Sequence, residues 1–446
     1  MTKRYDVIVI GSGPAAMSAV YPIKESGKNV AVVEAAHFGG TCPNTGCDPK
    51  KILYAKAEAA WQAKQLAGKG VSGDVSFNWE EAMTEKEKYT SVVPDAMEKK
   101  MNEAGIDTYH GFAKFQDEAT IGVGDQTLTA DRFLIATGAK PMVFDFEGAH
   151  LLKTSEDFLA QKSMPETIAL LGGGYISFEC AHLAAGAGAD VHIIEAGDQA
   201  LKAFKQTYVK ELIQLSEELG ITFHWNWNVE RVEETSSGVV ISAGSNQLKV
   251  DALFHGAGRV PNIEKLQLEK AGVKTDKGGI VVNEYLQSTS SSRVFAAGDV
   301  ASTDTLPLTP LSGKEGAFVA ENLIANEMST WRPIQAMPSI VFTIPKLAQV
   351  GKSEGELKKA GVDYESKEVD MTDWLSNKAS EEPIALANVL IDKKTGIIFG
   401  AHFLSQEADQ WINVFSMAIQ LGITVDQLKS VQYLYPTVLG DMGNVL

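Results

Sequence analysis

Apolar residues along this chain gather in short continuous blocks, and several of the blocks end in glycine. Val7-Ile8-Val9-Ile10 runs into Gly11-Ser12-Gly13-Pro14-Ala15-Ala16, and a second block, Asn29-Val30-Ala31-Val32-Val33-Glu34, follows after room for one helix. A run apolar at every position predicts a strand covered on both faces, so the order reads strand, helix, strand in a parallel sheet. The arrangement recurs in Thr167-Ile168-Ala169-Leu170-Leu171, Gly172-Gly173-Gly174-Tyr175-Ile176-Ser177 and Asp190-Val191-His192-Ile193-Ile194-Glu195. Asp131 to Ala139 and Leu253 to Arg259 each read as a strand ending in a tight turn. Ser291 to Val300 reads as a further short strand with an acid, Asp299, near its carboxyl end.

Residues 51 to 110 carry helical spacing, as in Ala57 to Ala63 and Glu81 to Glu85, and are expected to form helices capping the first domain. From about Met337 the texture changes. Strands are expected near Ile340 to Thr343 and Ile397 to Phe399, then a helix from Trp411 to Leu421, which together suggest a separate α+β domain.

The glycine-ended blocks carry chemistry. Glycines after a buried strand let the backbone approach a pyrophosphate at a helix N-terminus, and an acid about twenty residues on accepts from a ribose hydroxyl. Gly11, Gly13 and Ala16 with Glu34 meet that pattern, and so do Gly172 and Gly174 with Glu195. One chain therefore carries two dinucleotide fingerprints. Asp299, at a strand's carboxyl end where ligands of open α/β sheets bind, is a further cofactor candidate.

At about 150 residues per domain, 446 residues suggest about three domains, and 44% apolar residues give an ordinary globular composition. A net charge of −17 argues against nucleic acid and other polyanionic partners, and no basic, aromatic-interleaved patch argues otherwise. No apolar stretch reaches the roughly 18 to 20 residues of a membrane span. Three cysteines do not make a secreted disulfide framework, and Met1-Thr2-Lys3-Arg4-Tyr5-Asp6 enters a strand instead of a signal peptide. Both features point to the cytoplasm.

Two of those cysteines stand in Gly39-Gly40-Thr41-Cys42-Pro43-Asn44-Thr45-Gly46-Cys47-Asp48-Pro49-Lys50-Lys51. In a regular helix, residues five apart are about 7.5 Å apart along the axis, beyond the usual Cα separation of a disulfide. A bridge from Cys42 to Cys47 therefore needs a distorted turn, which Gly46 and Pro49 supply. The alternatives are metal ligation or two unrelated buried thiols. Metal sites pair close-set cysteines with a second Cys or His cluster, and the remaining cysteine is the isolated Cys180, expected as a small buried apolar residue.

With two dinucleotide folds, the G-G-T-C-x-N-x-G-C run and Gly298-Asp299 in order, the chain resembles the class I pyridine nucleotide-disulfide oxidoreductases. This is the family of dihydrolipoamide dehydrogenase, glutathione reductase and mercuric reductase, and the likeness runs from Tyr5 to the last helix. It implies an α/β fold of two Rossmann-like dinucleotide-binding domains, for FAD and NAD(P), plus a C-terminal α+β dimerisation domain. The implied boundaries are residues 1–145 and 263–330 for FAD, 146–262 for NAD(P) and 331–446 for the interface.

The resemblance places FAD against Gly11, Gly13, Ala16, Glu34, Gly40, Thr41, Lys51, Ala113, Thr137, Gly138, Asp299 and Thr309. It places the nicotinamide cofactor against Gly172, Gly174, Tyr175, Ile176, Glu195 and Gly258, with Tyr175 covering the nicotinamide pocket. Glu195 suits two ribose hydroxyls and repels a 2′-phosphate, which favours NADH, although Lys202 leaves NADPH possible. Cys42 and Cys47 become a redox disulfide, Cys47 as the thiolate against the flavin and Cys42 as the thiol that attacks substrate. Lys50 is expected to pair with Glu179, and the helix opened by Thr309-Pro310 to face the negative charge of reduced flavin. Asp48 works against thiolate formation.

The chain departs from the family at its end. The disulfide reductases carry His-Pro-Thr-x-x-Glu there, the His serving the partner subunit's cysteine. Here the run is Tyr433-Leu434-Tyr435-Pro436-Thr437-Val438-Leu439-Gly440-Asp441, so Tyr435 stands in place of the His and Gly440 in place of the Glu, with Asp441 one place late. An unperturbed tyrosine titrates near pH 10, against about 6.5 for histidine, and is a poor base at pH 7. Tyr435 remains able to donate a hydrogen bond or protonate a leaving thiolate; the alternative is an aromatic dimer-interface residue with no catalytic part. Mercuric reductases add a C-terminal cysteine pair, which this chain lacks. Glutathione reductases use arginines where Tyr21 and Ala317 stand here. His402 is expected to be structural.

The resulting expectation is a homodimeric FAD enzyme using NADH to reduce a small disulfide or another thiol-reactive electrophile. The alternatives are a diaphorase passing electrons from flavin to quinones, metal ions or oxygen, and an idle flavoprotein acting as a redox sensor.

Overall fold

In the computed structural model, which describes residues 2–332, 334 and 336–446, the first apolar block becomes the strand Lys3–Ile10 near the middle of a seven-stranded sheet. Val30–Glu34 and Gln126–Ile135 flank it in parallel, with Val7 opposite Val30 and Ile8 opposite Phe133. Asp107–His110 closes one edge, and Val294–Ala296 pairs in parallel with the Gln126–Ile135 strand. Successive residues of these strands go to opposite faces: Ile8, Ile10 and Phe133 join one apolar cluster, Val7, Val9 and Leu134 another. Both faces are covered, which is why the strands read as unbroken apolar runs.

The chain divides into two compact units. The first, Met1–Ile52, Thr84–Val143 and Gly258–Pro333, contains this sheet. On one face of the sheet the helices Pro14–Glu25 and Thr309–Ile324 pack so closely that a Cβ on Gly316 would lie 1.9 Å from the Ala15 carbonyl oxygen.

The second unit, Leu53–Met83, Phe144–Ala257 and Ile334–Leu446, holds a four-stranded parallel sheet in the order 221–225, 190–195, 167–171, 252–255. Its strands alternate as the first sheet's do. Ile168, Leu170 and Ile193 enter one cluster, and Ala169, Leu171 and Ile194 the other. The unit also contains a five-stranded antiparallel sheet built from residues 339–341, 346–351, 398–405, 386–392 and 364–370, with the helix Ala408–Leu421 against it. Phe403 and Trp411 stack there at 5.5 Å between ring centroids. The expected strands near 340 and 397 and the expected helix are present; of the other three strands, Leu386–Asp392 does lie in an apolar run, whereas Lys346–Gly351 and Tyr364–Asp370 carry no continuous apolar block.

Two expectations for residues 51 to 110 are corrected. Helices do form at Cys47–Gln65, Trp79–Thr90 and Val93–Glu103, but Asp107–His110 is a strand, added beside Val30–Glu34 once Gly105 has ended the last helix with a positive φ. Leu53–Met83 groups with the second unit. Its large side chains decide this: Leu53, Tyr54, Phe77 and Trp79 are buried with Phe158 and Phe178, and the Trp79 indole N–H donates to the Gln161 carbonyl at 2.8 Å.

Candidate active site

The cysteine run forms two helical arcs separated by a break. Thr41–Thr45 is a short helix, Gly46 departs from it at φ −134°, ψ −113°, and Cys47 then begins the helix Cys47–Gln65. The distorted turn needed for the two cysteines to approach is therefore present, and it lies at Gly46. A Cβ on Gly46 would sit 3.0 Å from the Thr41 carbonyl oxygen. Asn44 ties the loop down, its amide donating to the carbonyls of Phe38 at 3.0 Å and Gly40 at 2.8 Å.

Cys42 and Cys47 are unbridged thiols, the first half-buried and the second exposed. The hydrogen bond from Cys42 is the largest influence on Cys47 and helps bring its thiol down to about 6; the Thr309 hydroxyl and the Lys50 charge act the same way. Cys47 keeps an exposed surface, yet enough protein surrounds the sulfur for desolvation to oppose its charge, as Asp48 also does. The same hydrogen bond raises Cys42, with burial adding to it. The pair is thus polarised, with Cys47 as thiolate and Cys42 as thiol near neutral pH. The Cys47 sulfur lies 3.5 Å from Thr309 Oγ1, at the start of the helix Thr309–Ile324, which has no side-chain N-cap.

Beside the dithiol loop, in the same unit, is a glycine cradle. Gly11 has φ +101° and a Cβ there would lie 2.3 Å from the Ala136 carbonyl oxygen. Gly40, at φ +69°, would bring a Cβ within 2.7 Å of the Gly13 Cα. Gly13 precedes the helix Pro14–Glu25 without a side-chain cap, so no side-chain cap satisfies its first N–H groups. Glu34 accepts at Oε2 from the Ser12 N–H at 3.0 Å and at Oε1 from the Ala36 N–H at 2.8 Å. Ala16 and Ala113 are buried. The Thr137 hydroxyl donates to the Asn262 carbonyl at 2.8 Å, and Gly138 follows at φ +64°. Burial raises the Asp299 carboxyl, against the Arg259 charge and the Ser312 hydroxyl, which donates to it at 3.4 Å. Close-set glycines, an uncapped helix N-terminus and an acid on the next strand fit the pyrophosphate and ribose of a dinucleotide such as FAD. Thr41 is exposed and Lys51 half-buried on the same run as the cysteines.

The second unit repeats the positive-φ glycine, the uncapped helix and the two backbone hydrogen bonds to the acid. Gly172 also has φ +101°, and its Cβ would lie 2.6 Å from the Ala257 Cα. Gly174 precedes the helix Tyr175–Gly186, again without a side-chain cap. Glu195 accepts at Oε2 from the Gly173 N–H at 2.7 Å and at Oε1 from the Gly197 N–H at 3.0 Å, the same offsets in sequence as around Glu34. Lys202 reaches Glu195 at 3.7 Å. Tyr175 is half exposed and Ile176 partly buried, at the open end of the helix. Glu179, one turn on, is buried and accepts from the Phe342 N–H at 2.9 Å. Gly258 falls in the first unit, where its carbonyl accepts from the Met142 N–H at 3.1 Å.

Cys180 is buried in the core of the second unit. His402 is buried on the strand Ile398–Ser405, and burial lowers its imidazole to about 4. Tyr435 is 71% exposed, outside any helix or strand, and Asp441 accepts from the Ser376 hydroxyl at 3.5 Å.

Several residues of the first unit's site carried no motif in the sequence. Ser12 accepts at Oγ from the Gly39 N–H at 3.0 Å while donating to Glu34 at 2.6 Å, linking the cradle to the dithiol loop. Glu315 accepts from the Gly298 N–H at 2.7 Å and fixes the turn before Asp299. Tyr89 donates to Asp48 at 2.7 Å. The signal available for Ser12 was its place as a polar residue between Gly11 and Gly13; the others are brought in by tertiary packing.

The family profile described as pyridine nucleotide-disulphide oxidoreductase matches residues 5–322, and the profile for its dimerisation domain matches residues 337–444. The chain is 31% identical over 441 residues to a mercuric reductase of Staphylococcus aureus, covering 95% of this chain and 78% of that one. It is 31% identical over 457 residues to a glutathione reductase of Nostoc sp., covering 98% of each. The HOCl-induced flavoprotein disulfide reductase RclA from Escherichia coli superposes with a TM-score of 0.90 over 99% of both chains at 24% identity, a likeness of fold.

Proposed function

Because the chain belongs to the pyridine nucleotide-disulphide oxidoreductase family, we propose that it takes electrons from NADH and delivers them, through Cys42 and Cys47, to a small disulfide or another thiol-reactive electrophile. The family consists of FAD enzymes that work with NAD(P)H, and this chain is a flavin-dependent oxidoreductase of that kind. FAD, when bound, supplies two-electron exchange between a nicotinamide and the dithiol. The cradle of Gly11, Gly13, Ala16, Glu34 and Gly40 would hold it, with Thr41, Lys51, Ala113, Thr137, Gly138, Asp299 and Thr309. Gly172, Gly174, Tyr175, Ile176, Glu195 and Gly258 would hold the nicotinamide cofactor, and Lys50 and Glu179 complete the reading.

The observation that carries the proposal is the polarised thiol pair: Cys47 brought down to about 6 and Cys42 raised. Cys47, lowered, is the sulfur ready to resolve a mixed disulfide, while Cys42, held as a thiol, must lose its proton before it attacks. Cys42, on passing its proton to a base or to water, attacks one sulfur of the substrate disulfide; a mixed disulfide forms and one substrate thiolate leaves. Cys47 then attacks Cys42 in that mixed disulfide, closing the 42–47 bond and releasing the second thiolate. The substrate gains two electrons and the protein dithiol loses two. Tyr435 is our candidate donor of a proton to a leaving thiolate, reaching it from a partner subunit.

We read the active form as a homodimer. The dimerisation-domain match supports this, as do the exposed side chains of Met417, Leu421, Val431, Leu434 and Tyr435 near the end of the chain. Among the described residues, no helix is long and apolar enough to cross a membrane.

The test is an anaerobic titration with NADH, followed by visible spectroscopy, in wild type and Cys42→Ser. A long-wavelength thiolate-to-flavin absorption that precedes flavin bleaching puts the dithiol in the electron path. Bleaching with no such band removes the cysteines from the path and leaves a diaphorase.

A further inference from the structure

We propose that Asp48 and Tyr89 form a positioning pair for the dithiol: Asp48 holds a carboxylate beside Cys47 that restrains its ionisation, and Tyr89, by donating to that carboxylate, limits the restraint. The proposal rests on Cys42 and Cys47 being the redox pair.

Asp48 follows Cys47 directly, in the first turn of the helix Cys47–Gln65. A carboxylate is favourable at a helix N-terminus, but it disfavours a thiolate next to it. Thr309 and Lys50 favour the Cys47 thiolate, while Asp48 opposes ionisation of both Cys47 and Cys42. Tyr89 comes from the helix Trp79–Thr90, and its hydroxyl reaches Asp48 Oδ2 at 2.7 Å. That hydrogen bond is the first cause raising the Tyr89 phenol, followed by burial, the Asp48 charge and Cys42. A phenol that stays neutral donates its proton to the carboxylate, draws off part of its negative potential and fixes its orientation. Tyr89 is 43% exposed, so the contact does little for the core, and what it orients is the acid beside the thiols.

Because Tyr89 acts through Asp48, the two substitutions have opposite signs and do not add. The experiment uses the full-length enzyme reduced with a phosphine. Alkylation of Cys47 and Cys42 by iodoacetamide is followed from pH 5 to 9 by peptide mass. Asp48→Asn is expected to lower the Cys47 midpoint by about one pH unit, and Tyr89→Phe to raise it by about half a unit. The double variant is expected to match Asp48→Asn. A Tyr89→Phe shift of the same size in the Asp48→Asn background, a shift in the other direction, or no shift overturns the pair. Alkylation needs neither nicotinamide nor turnover, so failure of the proposed electron path would leave this result readable, and a working path with unmoved midpoints would overturn the pair alone.

Discussion

The Cys47 sulfur and the Thr309 hydroxyl lie 3.5 Å apart across 262 residues of chain. The contact sets a thiol at the start of a helix whose N-terminal N–H groups have no side-chain cap, so hydroxyl and helix both favour negative charge there.

Thr309→Val should therefore raise the Cys47 midpoint. Loss of one hydrogen bond to a charged sulfur shifts it upward by about half to one pH unit. The thiolate fraction then falls at pH 6 to 7, read as a slower iodoacetamide reaction that recovers above pH 8.

Cys42→Ser should separate the two redox readings. Disulfide reduction falls by roughly 10³-fold or more, while NADH-dependent quinone reduction persists. Equal loss of both activities would place Cys42 in maintaining the fold or the cofactor.

Glu195, at the end of its strand, accepts from the Gly173 and Gly197 N–H groups, and on the proposed reading it would also accept from ribose hydroxyls. The ratio kcat/KM is expected to be roughly tenfold or more higher for NADH than for NADPH. Glu195→Ala should narrow that gap, and Lys202→Ala, which removes the cation 3.7 Å from Glu195, should reduce what NADPH activity exists.

Gly11→Ala would set a methyl group 2.3 Å from the Ala136 carbonyl oxygen at a φ of +101°. Both the overlap and the backbone angle are unfavourable, at about 2 kcal/mol or more together. Denaturant unfolding should show the loss, together with release of flavin at lower denaturant than in wild type.

His182 should make the fold acid-sensitive. It is buried, its Nδ1 accepts the Ile344 N–H at 3.2 Å, and its Nε2 lies 3.0 Å from the Ser216 hydroxyl, which itself donates to Leu212. Those partners fix the neutral tautomer with the proton on Nε2. Burial lowers the imidazole to about 3 in the folded protein, against about 6.5 when unfolded. The unfolded chain binds the proton more readily, so the contribution is complete above about pH 6.5 and is lost as pH falls toward 3. Melting temperature should drop across that window. His182→Gln should start lower at pH 7 and fall less steeply.

Much of this arrangement was legible in the sequence because the chemistry is local. Gly11, Gly13 and Glu34 sit within one strand–helix–strand unit, where phosphate approach needs glycine and the ribose needs an acid at fixed spacing; Gly172, Gly174 and Glu195 repeat it. Gly46 likewise announced the break between the cysteines. The strand Asp107–His110 was hidden because two of its four residues are ordinary in loops and helix ends, and only the free edge beside Val30–Glu34 makes it a strand.

By itself, then, the sequence determined the two glycine-ended α/β units, the close-set thiols and the change of texture at the C-terminal region, since each follows from the conformations a few neighbouring residues can adopt. The tertiary structure alone decided what surrounds the thiols: Thr309 beside Cys47, Tyr89 on Asp48, Ser12 bridging Glu34 and Gly39. It also decided that Phe77 and Trp79 are buried with the second unit. Such contacts join residues tens to hundreds of positions apart, and packing and hydrogen-bond satisfaction over the whole unit select them; no local pattern encodes them.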